Sequence, residues 1–328
     1  MLQLATQAKS FEANYIIGNP KLNEMGLHVW RRSLADKLGS YRRRKLSALV
    51  TEAEKNQFAT QGFFIRENAL PEAEFQGLLK EIKELRGPGW EMRQGCAVTR
   101  RISLDNEMLA TRRFCRQVVN DYGFNRLMHY AASFLGTVTF ELQAIIVIPD
   151  INQADPQSVL HADTFHPTAK GWLFLQDVQD DEGPLSYVLG SHILTPERLA
   201  WEKEKSIQAS LSTERMHRAG SFRITEQELR HLGLPMPIRF TVPANTMIIA
   251  DTSGFHARCP SLKPSHRVEI HALLRRNPFI PWCSFHVLAL PFIAGHHMAV
   301  DILRKKLLRL KGSWKNFDKI GAYDPANL

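Results

Sequence analysis

The sequence predicts a mainly β protein with flanking helices, built on a double-stranded β-helix core of the jelly-roll, cupin-like kind. Three observations lead there. Between about residues 88 and 275, short apolar strand-like runs follow one another with Gly and Pro punctuation. Helical patterns are confined to the flanks and to one polar insert. Many short strands with peripheral helices favour a closed antiparallel barrel over a doubly wound sheet.

The elements follow in chain order. Residues 1–55 form a basic N-terminal extension, with Trp30-Arg31-Arg32 and Tyr41-Arg42-Arg43-Arg44-Lys45 concentrating its charge. The barrel domain spans 56–275. It opens with a short helix, the strand Phe63-Phe64-Ile65 after Gly62, and a turn. Pro71 then stands at a plausible first helical position, and Leu78, Leu79, Ile82 and Leu85 recur at helical spacing. The best strands are 140–150, 171–178, 185–190, 238–242, 246–251 and 267–274. A helical insert at about 195–232 interrupts them. In the C-terminal extension, 276–328, Val300, Leu303, Leu307, Leu310 and Trp314 recur on one face among Lys305, Lys306 and Arg309, the pattern of an amphipathic basic helix. No internal repeat or low-complexity tract is present.

Bulk properties bound the function classes. The chain has 328 residues, 44% of them hydrophobic, with six Trp and eighteen Phe, so it has ample material for a core. Its formal charge of +9 suits either solubility or an anionic partner. Cys96, Cys115, Cys259 and Cys283 are scattered without metal-ligand spacing, as expected of free thiols in a reducing compartment. The N-terminus lacks the basic and apolar regions of a signal peptide. The apolar stretch 285–300 is broken by Pro291, Gly295, His296 and His297, too polar and short to span a bilayer. A cytoplasmic protein, soluble or peripheral to a membrane, is expected.

The most specific chemistry lies in His161-Ala162-Asp163, followed much later by His256 and then Arg267. In an extended segment, residues i and i+2 project to the same face, so His161 and Asp163 can reach one ion. His256 follows a strand and turn that could bring in a third ligand. Two imidazoles and a carboxylate hold one face of Fe(II) and leave the opposite face open. Arg267 offers a cationic fork to a carboxylate. On its strand, alternation places Glu269 and His271 on the arginine's face, and Val268, Ile270 and Ala272 on the other. His166, in a Pro-turn, and His192, closing a "GSH" turn, are not favoured as ligands.

The segments around these residues carry a resemblance. "LHADTFHPTAKGWLFLQDVQDDEGPLSYVLGSH", "ADTSGFHARCPSLKPSHRVEIHALL" and "FATQGFFIRENALPEAEFQGLL" resemble the phytanoyl-CoA dioxygenase family of Fe(II)/2-oxoglutarate oxygenases. The resemblance covers roughly 56–275 and leaves out both ends. It implies His161, Asp163 and His256 as catalytic iron ligands and Arg267 as the partner of the 2-oxoglutarate C5 carboxylate. Trp172 matches a tryptophan lining the co-substrate pocket. Arg100 or Arg101 matches a basic residue near the C1 carboxylate, and Arg100 is the candidate. Two departures stand out. Leu189 replaces the usual Pro before "GSH". Arg258 stands where the family often has a small hydroxyl residue two after the distal His, a role that Ser265 or Thr252 could take.

The resemblance further implies Fe(II) as cofactor, 2-oxoglutarate and dioxygen as co-substrates, release of succinate and CO2, and hydroxylation of a substrate. Related halogenases replace the ligand carboxylate with Gly or Ala, so Asp163 favours hydroxylation. Two other readings remain open: a cupin-type metal protein with other chemistry, and a noncatalytic jelly roll that binds an anionic ligand or a membrane surface. Arg267 discriminates, because a cupin without an oxo-acid has no need of it. The basic ends lean toward a small-molecule or lipid-linked, anionic substrate, and the C-terminal helix toward peripheral membrane contact. Nucleic acid is not favoured as a partner. The specificity elements are expected in the insert and tail.

Overall fold

The computed structural model describes residues 2–150, 152–284 and 318–323. The N-terminal segment forms α1 (Pro20–Glu24), α2 (Leu27–Lys45) and α3 (Glu52–Gln61), and leads into β1 (Phe63–Arg66) and α4 (Glu72–Lys83). Then come β2 (Gly87–Gln94), β3 (Ala97–Ser103), α5 (Asn106–Leu109), α6 (Arg113–Asn120), α7 (Tyr122–Ala131) and β4 (Thr139–Val147). The second half holds β5 (Ala169–Phe174), β6 (Leu185–Tyr187), α8 (Pro196–Gln208), α9 (Arg215–Arg218) and α10 (Glu226–His231). It closes with β7 (Ile238–Arg239), β8 (Met247–Asp251), β9 (His256–Arg258), β10 (Ser265–Leu274) and β11 (Asp318–Tyr323).

The strands form an eight-stranded antiparallel sheet, ordered β1-β8-β5-β10-β4-β3-β2-β11, and a three-stranded sheet, β7-β6-β9. This is the predicted jelly-roll core with flanking helices. Alternation along each strand gives the large sheet two different faces. One face presents Phe64, Leu142, Leu173, Ile249 and Ile270 to α4, α6 and α7, and these residues share the largest apolar cluster. The other presents Phe63, Trp172, Phe174, Ile248 and Ala250 to Leu185 and Tyr187 of the small sheet. The space between the sheets is therefore lined by a second residue set, and the polar side chains described below project into it.

Local signals explain several boundaries. Thr51 and Glu54 form a reciprocal capping box that starts α3, and Gly62, at φ 89°, ends it in the left-handed conformation. Pro71 is the residue before α4 and not its first residue. Strands β2 and β3 were not individually legible, because Gly87, Pro88 and Gly89 at the start of β2 imitate a loop.

The basic N-terminal segment is packed into the protein. Arg31, Arg32 and Arg42 rank among the largest fully buried side chains. Arg42 donates to the carbonyls of Ser133, Pro278 and Ile280, and Arg31 to those of Leu4, Thr6 and Ala8. Much of the charge that reads as an exposed basic arm is thus spent on interior carbonyls. The amphipathic pattern at 300–314 lies outside the described residues. Among the described residues, no helix is long and apolar enough to cross a membrane.

Candidate metal centre

His161 and His256 come from distant parts of the chain and meet as an antiparallel pair. Each main-chain N–H donates to the other's carbonyl at 3.0 Å. On its other side His161 bridges Arg223. Directly opposed residues project to the same face, so the imidazoles stand side by side with centroids 4.6 Å apart. Asp163 shares that face, and its amide is fixed by a 2.9 Å bond to the Thr252 carbonyl. Its Oδ1 lies 3.8 Å from His161 Nε2, and its Oδ2 lies 3.5 Å from His256 Nε2. One ligand atom from each of the three residues lies within 4.8 Å of the others.

The ring orientations suit metal binding. His161 Nδ1 lies 2.8 Å from the Val159 carbonyl, and His256 Nδ1 lies 3.1 Å from the Gly254 carbonyl. A carbonyl only accepts, so each Nδ1 carries a proton, and each Nε2 is the ring atom turned toward the shared space. Burial, reinforced by His256, pushes the His161 pKa well below its ordinary value, which keeps the ring neutral. Burial works to raise the Asp163 pKa, but Lys170 and His256 outweigh it and hold the carboxyl well below its ordinary range. Two imidazoles and an ionised carboxylate form the donor set of an Fe(II) facial triad, and the residues present fit that ion.

The distal histidine loop has an extensive support. Asp251 pairs with Arg43 at 2.6 Å and accepts from the amides of Thr168 and Ser253. Tyr187 donates to the Asp251 carbonyl, and the Phe255 amide donates to Ser191 Oγ. Arg198, on α8, donates to the carbonyls of Ser191 and Ser253 and pairs with Glu202 at 2.9 Å. Glu202 in turn meets His28 and Arg32 of α2. The insert and the N-terminal helix therefore position the loop that carries His256. Sequence reading missed this network, because nothing in the spacing of Arg32, Arg198 and Glu202 links them.

Arg267, Glu269 and His271 share one face of β10. Their cross-strand partners are Ile145, Gln143 and Glu141 on β4, while Phe174 and Trp172 on β5 stand opposite Glu269 and His271. Arg267 is buried, donates Nε to Glu269 at 2.9 Å and Nη1 to the Gly183 carbonyl at 2.7 Å. Glu269 also accepts from Gln143 at 2.5 Å. Trp172 is buried edge-on to His271, with centroids 6.0 Å apart.

Arg100, the residue expected near the C1 carboxylate, faces away from the pocket. Arg100 pairs with Ala144, which pairs with Val268, so it lies on the face opposite Arg267 and bonds Glu91 at 2.7 Å. Arg101 stands opposite Gln143 and beside Glu141, on the face of Arg267. Ser265 lies two residues before Arg267 and bonds Ser261 at 2.9 Å. Thr252 donates to the Thr168 carbonyl, and Arg258 pairs with Asp155 at 3.2 Å. His166 is buried among Thr164, Pro167 and Thr168, and His192 packs on Phe58, so neither joins the cluster.

Two lysines that the sequence reading did not single out also reach Asp163. Lys170 Nζ lies 2.6 Å from its Oδ2, and Lys9 Nζ donates to its main-chain carbonyl. Lys170 alternates with Trp172 along β5, a signal that could have placed it on the pocket face.

The sequence model of the family described as phytanoyl-CoA dioxygenase (PhyH) matches residues 58–221. No curated protein matches the chain. Among solved structures, the chain is similar to the epimerase SnoN in complex with Fe3+, alpha ketoglutarate and nogalamycin RO, at 17% identity and a TM-score of 0.46, covering 69% of this chain and 83% of that one. It is similar to HygX from Streptomyces hygroscopicus with nickel and 2-oxoglutarate bound, at 16% identity and a TM-score of 0.40, covering 68% and 86%. It is also similar to AviO1 from Streptomyces viridochromogenes, at 16% identity and a TM-score of 0.39, covering 69% and 94%.

Proposed function

The chain belongs to the phytanoyl-CoA dioxygenase family, and from that premise we propose that it hydroxylates an anionic small-molecule or lipid-linked substrate at a centre held by His161, Asp163 and His256. As a family member it is a non-haem iron, 2-oxoglutarate-dependent oxygenase. The observation that carries the assignment of the centre is the convergence of two Nδ1-anchored imidazoles and one carboxylate within 4.8 Å.

When bound, Fe(II) and 2-oxoglutarate activate dioxygen, with release of succinate and CO2. The protein's own work is positioning. The paired main chains of His161 and His256 fix two ligands against each other, and Thr252 fixes the third through the Asp163 amide. Arg267, buttressed by Glu269 and Gly183, offers its remaining N–H groups to the distal carboxylate of the oxo-acid. Trp172 and Phe174 make the wall beside it apolar and exclude water. Arg101 is the pocket-facing basic residue of the Arg100–Arg101 pair. A retained carboxylate at Asp163 occupies the position a halide would need, which supports hydroxylation.

The substrate's negative charge is supported by the cations around Asp163. The basic, amphipathic pattern at 300–314 supports contact with an anionic membrane surface. Cys96, Cys115, Cys259 and Cys283 are all free, in keeping with a reducing, cytoplasmic setting. Anaerobic titration of the protein with Fe(II) and 2-oxoglutarate tests the centre. A weak visible charge-transfer band is expected, and it should vanish in His161→Ala. A folded protein without the band overturns the assignment.

A further inference from the structure

We propose that Lys9 and Lys170, with Arg223 behind them, form an anchor for an oxyanion group of the substrate, best filled by a dianion such as a phosphoryl group. The proposal rests on the reading of His161, Asp163 and His256 as the metal centre. It adds which residues select the substrate and where its charge sits.

Three separate segments bring cations to the neighbourhood of Asp163. Lys170, on the pocket face of β5, places Nζ 2.6 Å from Asp163 Oδ2. Lys9, from the N-terminal segment, donates to the Asp163 carbonyl. Arg223 stands directly opposite His161 across the bridge pair, held by Ser221 and the Pro156 carbonyl. Arg223, Lys170 and Arg275 all act electrostatically on Lys9. Among the described residues, Glu214, 3.9 Å from Arg223 and itself exposed, is a further acidic partner of this cluster.

Lys9 is built into this position. Arg31 grips the carbonyls of Leu4, Thr6 and Ala8, and Asn277 binds that of Ala5. On the other side, the Phe11 amide donates to Arg218, and the Phe11 ring stacks on Phe222. Gly220 allows close passage, since a Cβ there would lie 2.1 Å from the Lys9 carbonyl oxygen.

Charge accounting favours an anionic ligand. Asp163 is required by the metal, so its oxygen is not available as a lasting partner for Lys170. A divalent ion, a dianionic oxo-acid and the Asp163 carboxylate together leave a single negative charge. Lys9, Lys170 and Arg223 exceed it even when the exposed Glu214 is counted, and the Asp163 side chain at their centre is 22% accessible. Two flexible ammonium groups with three donors each suit a phosphoryl group's oxygens.

Inorganic phosphate is the probe. With the full chain loaded with Mn(II) and 2-oxoglutarate, the ion's effect on phosphate 31P relaxation reports binding beside the metal. Saturable enhancement is expected for the parent protein. Lys9→Gln and Lys170→Gln should each weaken half-saturation by about tenfold, the scale of one charge-assisted contact. The conservative Lys170→Arg should keep it, as should Lys45→Gln on the exposed end of α2. Acetate should bind much more weakly than phosphate. The Fe(II)–2-oxoglutarate band, recorded on each variant at the same phosphate concentration, shows that the centre is intact. Non-saturable enhancement, or phosphate binding unchanged in both Gln variants, overturns the anchor. An intact band without phosphate binding sinks the anchor alone. No band in the parent protein sinks the metal-centre reading, and the anchor with it.

Discussion

His161 and His256 exchange both main-chain hydrogen bonds at 3.0 Å, so backbone pairing sets the separation of their imidazoles. Each ring is further locked by its own Nδ1 bond to a carbonyl two residues upstream. A centre prepared this way should bind metal without large rearrangement. We expect His256→Ala to weaken Mn(II) or Fe(II) binding by on the order of 100-fold or more, since even indirect supports of a ligand are worth 10–100-fold. Calorimetric metal titration, with circular dichroism to confirm folding, checks this.

Lys170 and a bound cation compete for Asp163 Oδ2. The ammonium lies 2.6 Å from that oxygen, and like charges so close repel by roughly 1–4 kcal/mol in a partly hydrated site. Lys170→Met should therefore raise the affinity of the 2-oxoglutarate-free protein for Mn(II), by roughly tenfold. Electron paramagnetic resonance of free Mn(II) measures it. An unchanged or weaker affinity would contradict the competition.

Arg267 is held by Glu269 and Gly183 in one orientation. A lysine cannot reproduce the planar fork. Arg267→Lys should lower 2-oxoglutarate affinity by about 10–100-fold, the cost of a lost bidentate charge-assisted contact, and leave metal affinity unchanged. The charge-transfer band titrated with 2-oxoglutarate separates the two effects.

Arg198 and Glu202 are both buried and stand behind the His256 loop. Removing Arg198 leaves Glu202 only Arg32 and His28 and frees two buried carbonyls of their donor, at a typical cost of about 1–3 kcal/mol. Arg198→Met should lower the denaturant midpoint accordingly. It should also loosen metal binding, because Ser191 and Ser253 lose their donor. A variant that is destabilised yet binds metal normally would show that the loop is fixed without α8.

Acid should destabilise the metal-free protein in two stages. Burial lowers the pKa of His166 from 6.5 to about 3 and that of His192 to about 4. The folded state then binds fewer protons than the unfolded state below pH 6.5, so stability is full above that value and falls as pH drops. Each histidine should contribute a loss of roughly 2 kcal/mol by pH 5. Below about pH 4.5 the carboxylates add to it. Glu54, bonded to Arg126, and Glu228, where Lys205 and Trp201 overcome the effect of burial, are both depressed to about 2. Urea unfolding at pH 7.5, 6 and 5 should show falling midpoints. A flat profile would contradict the burial of neutral histidines.

The sequence by itself determined the strand-rich core, the place of the helical insert and the three residues of the candidate centre. The core, the insert and the pairing of His161 with Asp163 rest on local rules of strand alternation, turn chemistry and same-face projection, while His256 is joined to them through the family resemblance, because no local rule links it to His161. The same alternation set Glu269 and His271 beside Arg267, and the register of β10 against β4 and β5 agrees. Only the tertiary structure decided that Arg101 and not Arg100 faces the pocket, because that depends on cross-strand register, and a one-residue slip reverses it. Only it decided that Arg31, Arg32 and Arg42 are interior groups and not a charged arm. Carbonyls from remote segments satisfy Arg31 and Arg42, and the distant Glu202 and the Phe165 carbonyl engage Arg32. The meeting of Lys9, Lys170 and Arg223 around Asp163 is of the same kind. Long-range packing brings those charges together, and no spacing along the chain encodes it.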